Sequence, residues 1–321
     1  MPRSLMIHYH KSGCSLSQQI VRSFLTELNG NLQMLMNPLP RKKYGGVGRN
    51  IVVAGGKFMF PVLNFETDFG EMRVGDQEAE HVIYNQGNPN FFYPFEEVIP
   101  GRKVIHFVRE PYAMALSNYL YHTQVPTPEP WFLTLHTDVE EWLDPRVTRV
   151  MNFMAGDLGL DVRDIESLVE QVKGVWRCPP GSSYYDHLRS IPMHHGLLVE
   201  TVRFMVRMQD FLRMAMIRRR ASKNFIQFFM ADFDGEDKSR ASLERINDFL
   251  FPGEAVDMDK VAGAFRHNRQ RIGRTRHVTR HLVSRDRRAE LINGLKQNRE
   301  LANIFGTVDG ILRGEGDFLA V

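Results

Sequence analysis

The sequence lacks most of the features that mark secreted or membrane-spanning proteins. It has only two cysteines, Cys14 and Cys178, among 321 residues, which argues against a disulfide framework and fits a reducing compartment. It contains no run of about 18 apolar residues, so no transmembrane helix is expected. The first motif begins near His8, which leaves no room before it for a signal peptide. These absences predict a cytoplasmic location and no membrane partner.

Two common signatures of ligand chemistry are missing as well. The triphosphate-binding pattern G-x-x-x-x-G-K-[ST] is absent, which counts against a nucleotide-dependent kinase, although a kinase on a similar sheet stays an alternative. The sequence contains no paired-cysteine ligand pattern. We therefore expect no metal.

The composition is that of an ordinary globular protein with a slight excess of positive charge. Hydrophobic residues make up 43% of the chain, enough to bury one large core, or one core with a helical annex. The net charge of +3 suits an anionic ligand without requiring nucleic acid. No internal repeat or low-complexity tract is present, so we predict a single domain over residues 1–321.

Hydrophobic periodicity predicts strands that alternate with helices. The predicted strands are 5–9, 51–54, 82–85, 103–108 and 225–230, and the predicted helices are 15–28, 112–122, 161–172, 191–220, 239–249 and 287–304. This alternation is typical of an α/β fold with a mainly parallel central sheet flanked by helices.

A possible anion-binding turn joins the first predicted strand to the first predicted helix. It contains Lys11, Ser12, Gly13, Cys14 and Ser15. Gly13 lets the backbone approach a ligand closely, the helix N-terminus offers free N–H groups, and Lys11 adds a positive charge. An ordinary turn would explain the same residues, so both interpretations are open here.

A second basic site follows the clearest strand, 103–108. Arg109 stands at the carboxyl end of that strand, Pro111 at the start of the next helix, and Ser117 eight residues after the arginine. A guanidinium and a hydroxyl at this spacing could hold one phosphate from two sides. Ligands of open α/β sheets bind at the carboxyl ends of strands, so we expect Arg109 beside the first turn. The alternative is a structural arginine paired with Glu110.

A third basic segment, predicted as a loop, covers residues 266–277. Its arginines are Arg266, Arg269, Arg271, Arg274 and Arg276, with Gly273 among them. Either a solvated surface or a lid over a phosphate would account for this composition.

Together these motifs resemble those of sulfotransferases that use 3′-phosphoadenosine 5′-phosphosulfate (PAPS). The family's first motif, roughly P-K-S-G-T-T-W after a strand, is matched by residues 10–16, HKSGCSL. Its second motif, an arginine, a proline two residues on and a serine eight after the arginine, matches Arg109, Pro111 and Ser117. The segment 224–233 is similar to the family's strand with a Tyr-Glu-Asp segment, and the arginine-rich loop stands where the family has R-K-G-x-x-G.

The resemblance implies a P-loop-kinase-like sulfotransferase fold and a division of roles. Lys11 would stabilise the leaving bridging oxygen, and the backbone around Ser12, Gly13, Cys14 and Ser15 would hold the 5′-phosphosulfate. The 3′-phosphate would be bound by Arg109 and Ser117, with Arg271 and Gly273 from the basic loop. Leu16 replaces the family's adenine-stacking tryptophan, so Phe229 or Phe265 would serve instead.

The resemblance implies a catalytic base but not its identity. The family's "THLP"-like histidine has no counterpart at 84–87, YNQG. Some members use a carboxylate, so Glu66 and Asp68 are the first choice and His10 is another option. His81, at the amino end of its strand, and His122, on a helix leading away, are poorly placed.

The expected reaction moves a sulfuryl group from PAPS to a hydroxyl or amine of a small molecule, and the product is 3′-phosphoadenosine 5′-phosphate (PAP). Carbohydrate or protein acceptors would more often imply a secretory location. A non-catalytic module that binds the nucleotide is the alternative outside enzymes. The protein is expected to be a monomer or homodimer.

Overall fold

The computed structural model describes the greater part of the chain. The described residues are 4–9, 14–29, 34–38, 49–53, 58–60, 73–74, 77–78, 81–86, 103–124, 133, 155–156, 159–175, 178–205, 222–272 and 282–314. They form an α/β protein, as the sequence predicts.

Contacts divide the chain into two compact units, each made of two separate segments. Unit 1 comprises Met1–Arg109 and Ile217–Arg274, and unit 2 comprises Glu110–Met216 and Thr275–Val321. Because the segments interleave, neither unit is a continuous stretch of sequence. The single domain predicted over residues 1–321 stays a prediction.

The strands belong to unit 1. They are β1 (Ser4–Tyr9), β2 (Met34–Pro38), β3 (Arg49–Val53), β4 (Phe58–Phe60), β5 (Arg73–Val74), β6 (Gln77–Glu78), β7 (His81–Gln86), β8 (Lys103–Val108) and β9 (Phe225–Phe229). Within the described residues, seven of them form one sheet in the order β2-β3-β4-β7-β1-β8-β9, and β5 pairs with β6 separately. The pairs from β4 to β9 are parallel, whereas β2–β3 and β3–β4 are antiparallel. The predicted mainly parallel sheet is thus confirmed.

The described helices are α1 (Cys14–Asn29), α2 (Pro111–Gln124), α3 (Val162–Lys173), α4 (Tyr184–Ser190), α5 (193–205), α6 (Glu236–Leu250), α7 (Met258–Ile272), α8 (Arg285–Lys296) and α9 (Arg299–Arg313). Helices α1, α6 and α7 belong to unit 1, and the other six to unit 2. None of the helices described here is long and apolar enough to cross a membrane.

The core of unit 1 lies between the sheet and its three helices. Phe107 of β8 and Phe228 of β9 stack with ring centroids 6.2 Å apart, and Phe24 of α1 packs in the same apolar cluster. The described part of unit 2 is helical: α9 packs on α3, α8 on α2 and α9, and α4 on α2. Its buried side chains include Tyr184, Leu168 and Phe305.

Several predicted boundaries need correction. The predicted helix 287–304 is two helices, because α8 ends at Lys296 with Gln297 as its C-cap, and Asn298 caps α9 by accepting the Leu301 N–H at 3.0 Å. The predicted loop 266–277 is helical up to Ile272, where α7 ends. The long helix predicted for 191–220 is described only over 193–205, so its remainder lies outside the described residues.

Candidate active site

The carboxyl ends of four parallel strands, β7, β1, β8 and β9, lie side by side at one end of the sheet in unit 1. Tyr9 of β1 pairs with Gln86 of β7 at the ends of both strands, and Val108 of β8 pairs with Phe229 of β9 in the same way. Ile7 of β1 pairs with His106 of β8, so β1 and β8 also end side by side. Neighbouring strands are about 5 Å apart, so one phosphate-sized ligand could contact the residues that follow two adjacent ends.

The chain leaves β1 and β8 in opposite directions. From β1 it continues through α1 to β2, β3, β4 and β7, all on one side of β1. After β8, the next strand of the sheet is β9, on the other side. Such a reversal in strand order is where open α/β sheets commonly bind ligands, beyond the carboxyl ends. The segments that flank this point are residues 10–13 and Arg109.

The first predicted motif occupies the connection from β1 to α1. Cys14 and Ser15 form the start of α1, where the first backbone N–H groups have no acceptor within the helix. The first turn of α1 contains no acidic residue, so the positive end of the helix dipole is not offset there. Lys11, Ser12 and Gly13 lie outside the described residues.

The second motif has the local structure that its sequence predicts. Arg109 comes directly after β8 and is half-buried, and Pro111 is the first residue of α2, a position that proline favours. Ser117 is buried on α2. Arg109 ends a segment of unit 1 whereas Ser117 belongs to unit 2, so their sharing of one phosphate stays a prediction.

A capped turn follows the carboxyl end of β9, at the same end of the sheet. The Asp232 carboxylate accepts the Phe229 N–H at 2.8 Å, and Gly235 adopts a φ of 93° that favours glycine. Phe229 is half-buried at the end of its strand, which leaves it a candidate for adenine. Phe265 is buried in the apolar core, with its ring 6.0 Å from that of Phe233. The expectation that Phe265 stacks on adenine is therefore wrong.

Two arginines of the basic segment 266–277 make contacts within the fold. Arg266 pairs with Glu236, and Arg269 donates to the Phe233 carbonyl and to Asp234. These two arginines attach α7 to the start of α6 and to the turn before it, and they are not part of a mobile lid. Arg271 lies in the last turn of α7, and Gly273 lies outside the described residues.

The described residues do not decide which residue is the catalytic base. Glu66, Asp68 and His10 lie outside them. His81 is the first residue of β7, at the end of the strand away from the candidate site, as predicted. His194 is exposed at the start of α5, with its ring centroid 4.0 Å from that of His195.

The expectation of no metal has one exception in the sequence. His277 and His281 have the spacing H-x-x-x-H, which helical metal ligands share. Both lie outside the described residues.

Sequence reasoning missed a buried histidine in the sheet. His106 of β8 is fully buried, and its Nδ1 lies 3.2 Å from Oε1 of Gln227 on β9. The signal was a histidine inside the otherwise apolar run 104–108.

Sequence reasoning also missed a buried charged cluster in unit 2, which we call the Glu200 hub. The Oε2 atom of Glu200 accepts hydrogen bonds from Asn118 Nδ2 at 2.7 Å and His122 Nδ1 at 2.6 Å. Its Oε1 accepts from Tyr184 Oη at 2.7 Å and Arg203 Nε at 2.5 Å. One carboxylate thus connects α2, α4 and α5. No sequence signal joins residues so far apart.

The electrostatics of the Glu200 hub fix its protonation states. Burial alone would raise the pKa of the Glu200 carboxyl, but the charges and hydrogen bonds of Arg203 and His122 outweigh burial and hold that pKa well below its usual range. Burial, and then the Glu200 charge, raise the pKa of Tyr184 well above its usual value. At neutral pH the carboxylate is therefore charged, and the phenol is a hydrogen-bond donor.

Comparison with known proteins yields no match. No family model matches the chain, and neither a curated protein nor a solved structure matches it.

Proposed function

We propose that this protein is a PAPS-dependent sulfotransferase that transfers a sulfuryl group to a hydroxyl or amine of a small-molecule acceptor. The observation that carries the proposal is the strand order of unit 1. Residues 10–13 and Arg109 follow the adjacent carboxyl ends of β1 and β8, where the chain connections diverge. The motif resemblance supplies the chemistry, and a P-loop-kinase-like sulfotransferase fold is part of the proposal.

The proposed reaction is an in-line displacement at sulfur. The acceptor oxygen or nitrogen forms a new bond to sulfur as the bond to the bridging oxygen of PAPS breaks, and the electron pair leaves with PAP. Lys11 and the first-turn N–H groups of α1 would stabilise the negative charge that builds on that oxygen. A base, with Glu66 and Asp68 as first candidates, would accept the proton of the acceptor.

The test is transfer of labelled sulfate from PAPS to a panel of phenols, alcohols and amines. We expect transfer to at least one acceptor class and micromolar or tighter binding of PAP. Binding of PAP without transfer to any acceptor would favour a nucleotide-binding module. Absence of PAP binding by calorimetry would overturn the proposal.

Arg109 provides the sharpest variant. Removal of a charge-assisted contact to phosphate costs about 1.5–3 kcal/mol, so Arg109→Ala should weaken PAP binding roughly tenfold to a hundredfold. The control is Arg266→Ala, since Arg266 pairs with Glu236 on the surface and should leave affinity within about twofold. Unchanged affinity in a folded Arg109→Ala protein would remove this residue from the site.

A further inference from the structure

We draw no further inference here: the strongest candidate, the buried side-chain cluster of Glu200, Arg203, His122 and Tyr184 between α2, α4 and α5 of unit 2, has side chains at most 3% exposed and shows only how these three helices are held together.

Discussion

At the residue scale, Glu200 and Lys11 differ in the role of their charges. Glu200 is completely buried, and its two carboxylate oxygens accept hydrogen bonds from Asn118, His122, Tyr184 and Arg203. Its charge is compensated in the folded protein by Arg203 and His122. Lys11 follows the end of β1 by two residues, where the proposed reaction develops negative charge. The two residues therefore predict different responses to substitution.

Replacement of Lys11 should affect turnover more than binding. An interaction that strengthens in the transition state lowers kcat more than it raises KM. Lys11→Ala should then reduce the rate of sulfuryl transfer about a hundredfold or more, while PAP affinity falls far less because Arg109 and the α1 N–H groups remain. Lys11→Arg should rescue poorly, since a planar guanidinium does not replace a compact ammonium. Single-turnover kinetics measures this, and near-normal transfer by Lys11→Ala would reduce the motif to an ordinary turn.

Replacement of Glu200 should reduce stability in a pH-dependent way. Glu200→Gln removes one partner of a buried ion pair, which costs about 3–5 kcal/mol. The folded pKa of Glu200 lies below the unfolded value of about 4.3. The stabilisation is therefore fully present above about pH 5 and is lost as pH falls through the unfolded pKa toward the folded one, by about 1.4 kcal/mol per pH unit.

Urea unfolding of both proteins from pH 7 to pH 3 measures this difference. The gap in unfolding free energy between Glu200 and Glu200→Gln should be constant at neutral pH and should narrow below about pH 4. A control is Glu166→Gln, because Glu166 is exposed on α3 and should change stability little at any pH. A gap that stays constant down to pH 3 would contradict the assigned charge state of Glu200.

At the element scale, helix α7 contains both structural arginines, Arg266 and Arg269, and a candidate ligand residue, Arg271. Arg269 is bonded to the turn before α6, whereas Arg271 is two residues nearer the end of the helix. Arg269→Ala should lower unfolding free energy by about 1–2 kcal/mol and leave PAP affinity within about twofold. Arg271→Ala should weaken PAP binding roughly tenfold without loss of stability. Calorimetry and urea unfolding of the two variants show which arginine of the basic segment contacts the nucleotide. If Arg269→Ala weakens PAP binding and Arg271→Ala lowers only stability, Arg271 is excluded as a ligand residue.

The sequence is informative where hydrophobic periodicity is strong. The bounds of β1, α1, β8, α2 and β9 are predicted to within two residues, because apolar side chains in these elements face a core at regular spacing. The strands β2 and β4 were not predicted, since they are short and β2 ends in Asn-Pro. The prediction of a loop from residue 266 is wrong up to Ile272. The arginines and Gly273 of 266–277 suggest a loop, although arginine and glutamine are good helix formers. The cap at Asn298 was a readable signal for the break before α9.

The candidate site could be predicted only in part. The local structure around Arg109 and Pro111 is predicted correctly, because a strand followed by a prolyl helix start is a local pattern, whereas the role of Arg109 in the site stays a prediction. The Glu200 hub could not be predicted, because His122 and Glu200 are 78 residues apart in sequence. Periodicity reports which face of a helix is apolar, but it does not report which polar residues meet across a core.

At the scale of the whole molecule, each of the two units contains two separate segments of the chain. Residues 10–13 and Arg109 belong to unit 1, which contains the sheet, and Ser117 belongs to unit 2, whose described part is helical. The chain passes between units directly after Arg109. A ligand that binds only the folded protein stabilises it by mass action, so nucleotide-dependent stability tests the proposal on the intact chain.

The final prediction compares PAP with AMP in thermal unfolding. A ligand at a hundred times its Kd stabilises the native state by about 2.7 kcal/mol, which should raise Tm by about 4 °C in a chain of this size. AMP differs from PAP only in lacking the 3′-phosphate assigned to Arg109, so it loses about 1.5–3 kcal/mol of binding. At the same concentration AMP should raise Tm by no more than about 2 °C. In Arg109→Ala the advantage of PAP over AMP should largely disappear, because the residue that distinguishes them is gone. Equal shifts for PAP and AMP in the unaltered protein would mean that the 3′-phosphate is not recognised, and the assignment of PAPS as the sulfuryl donor would fail.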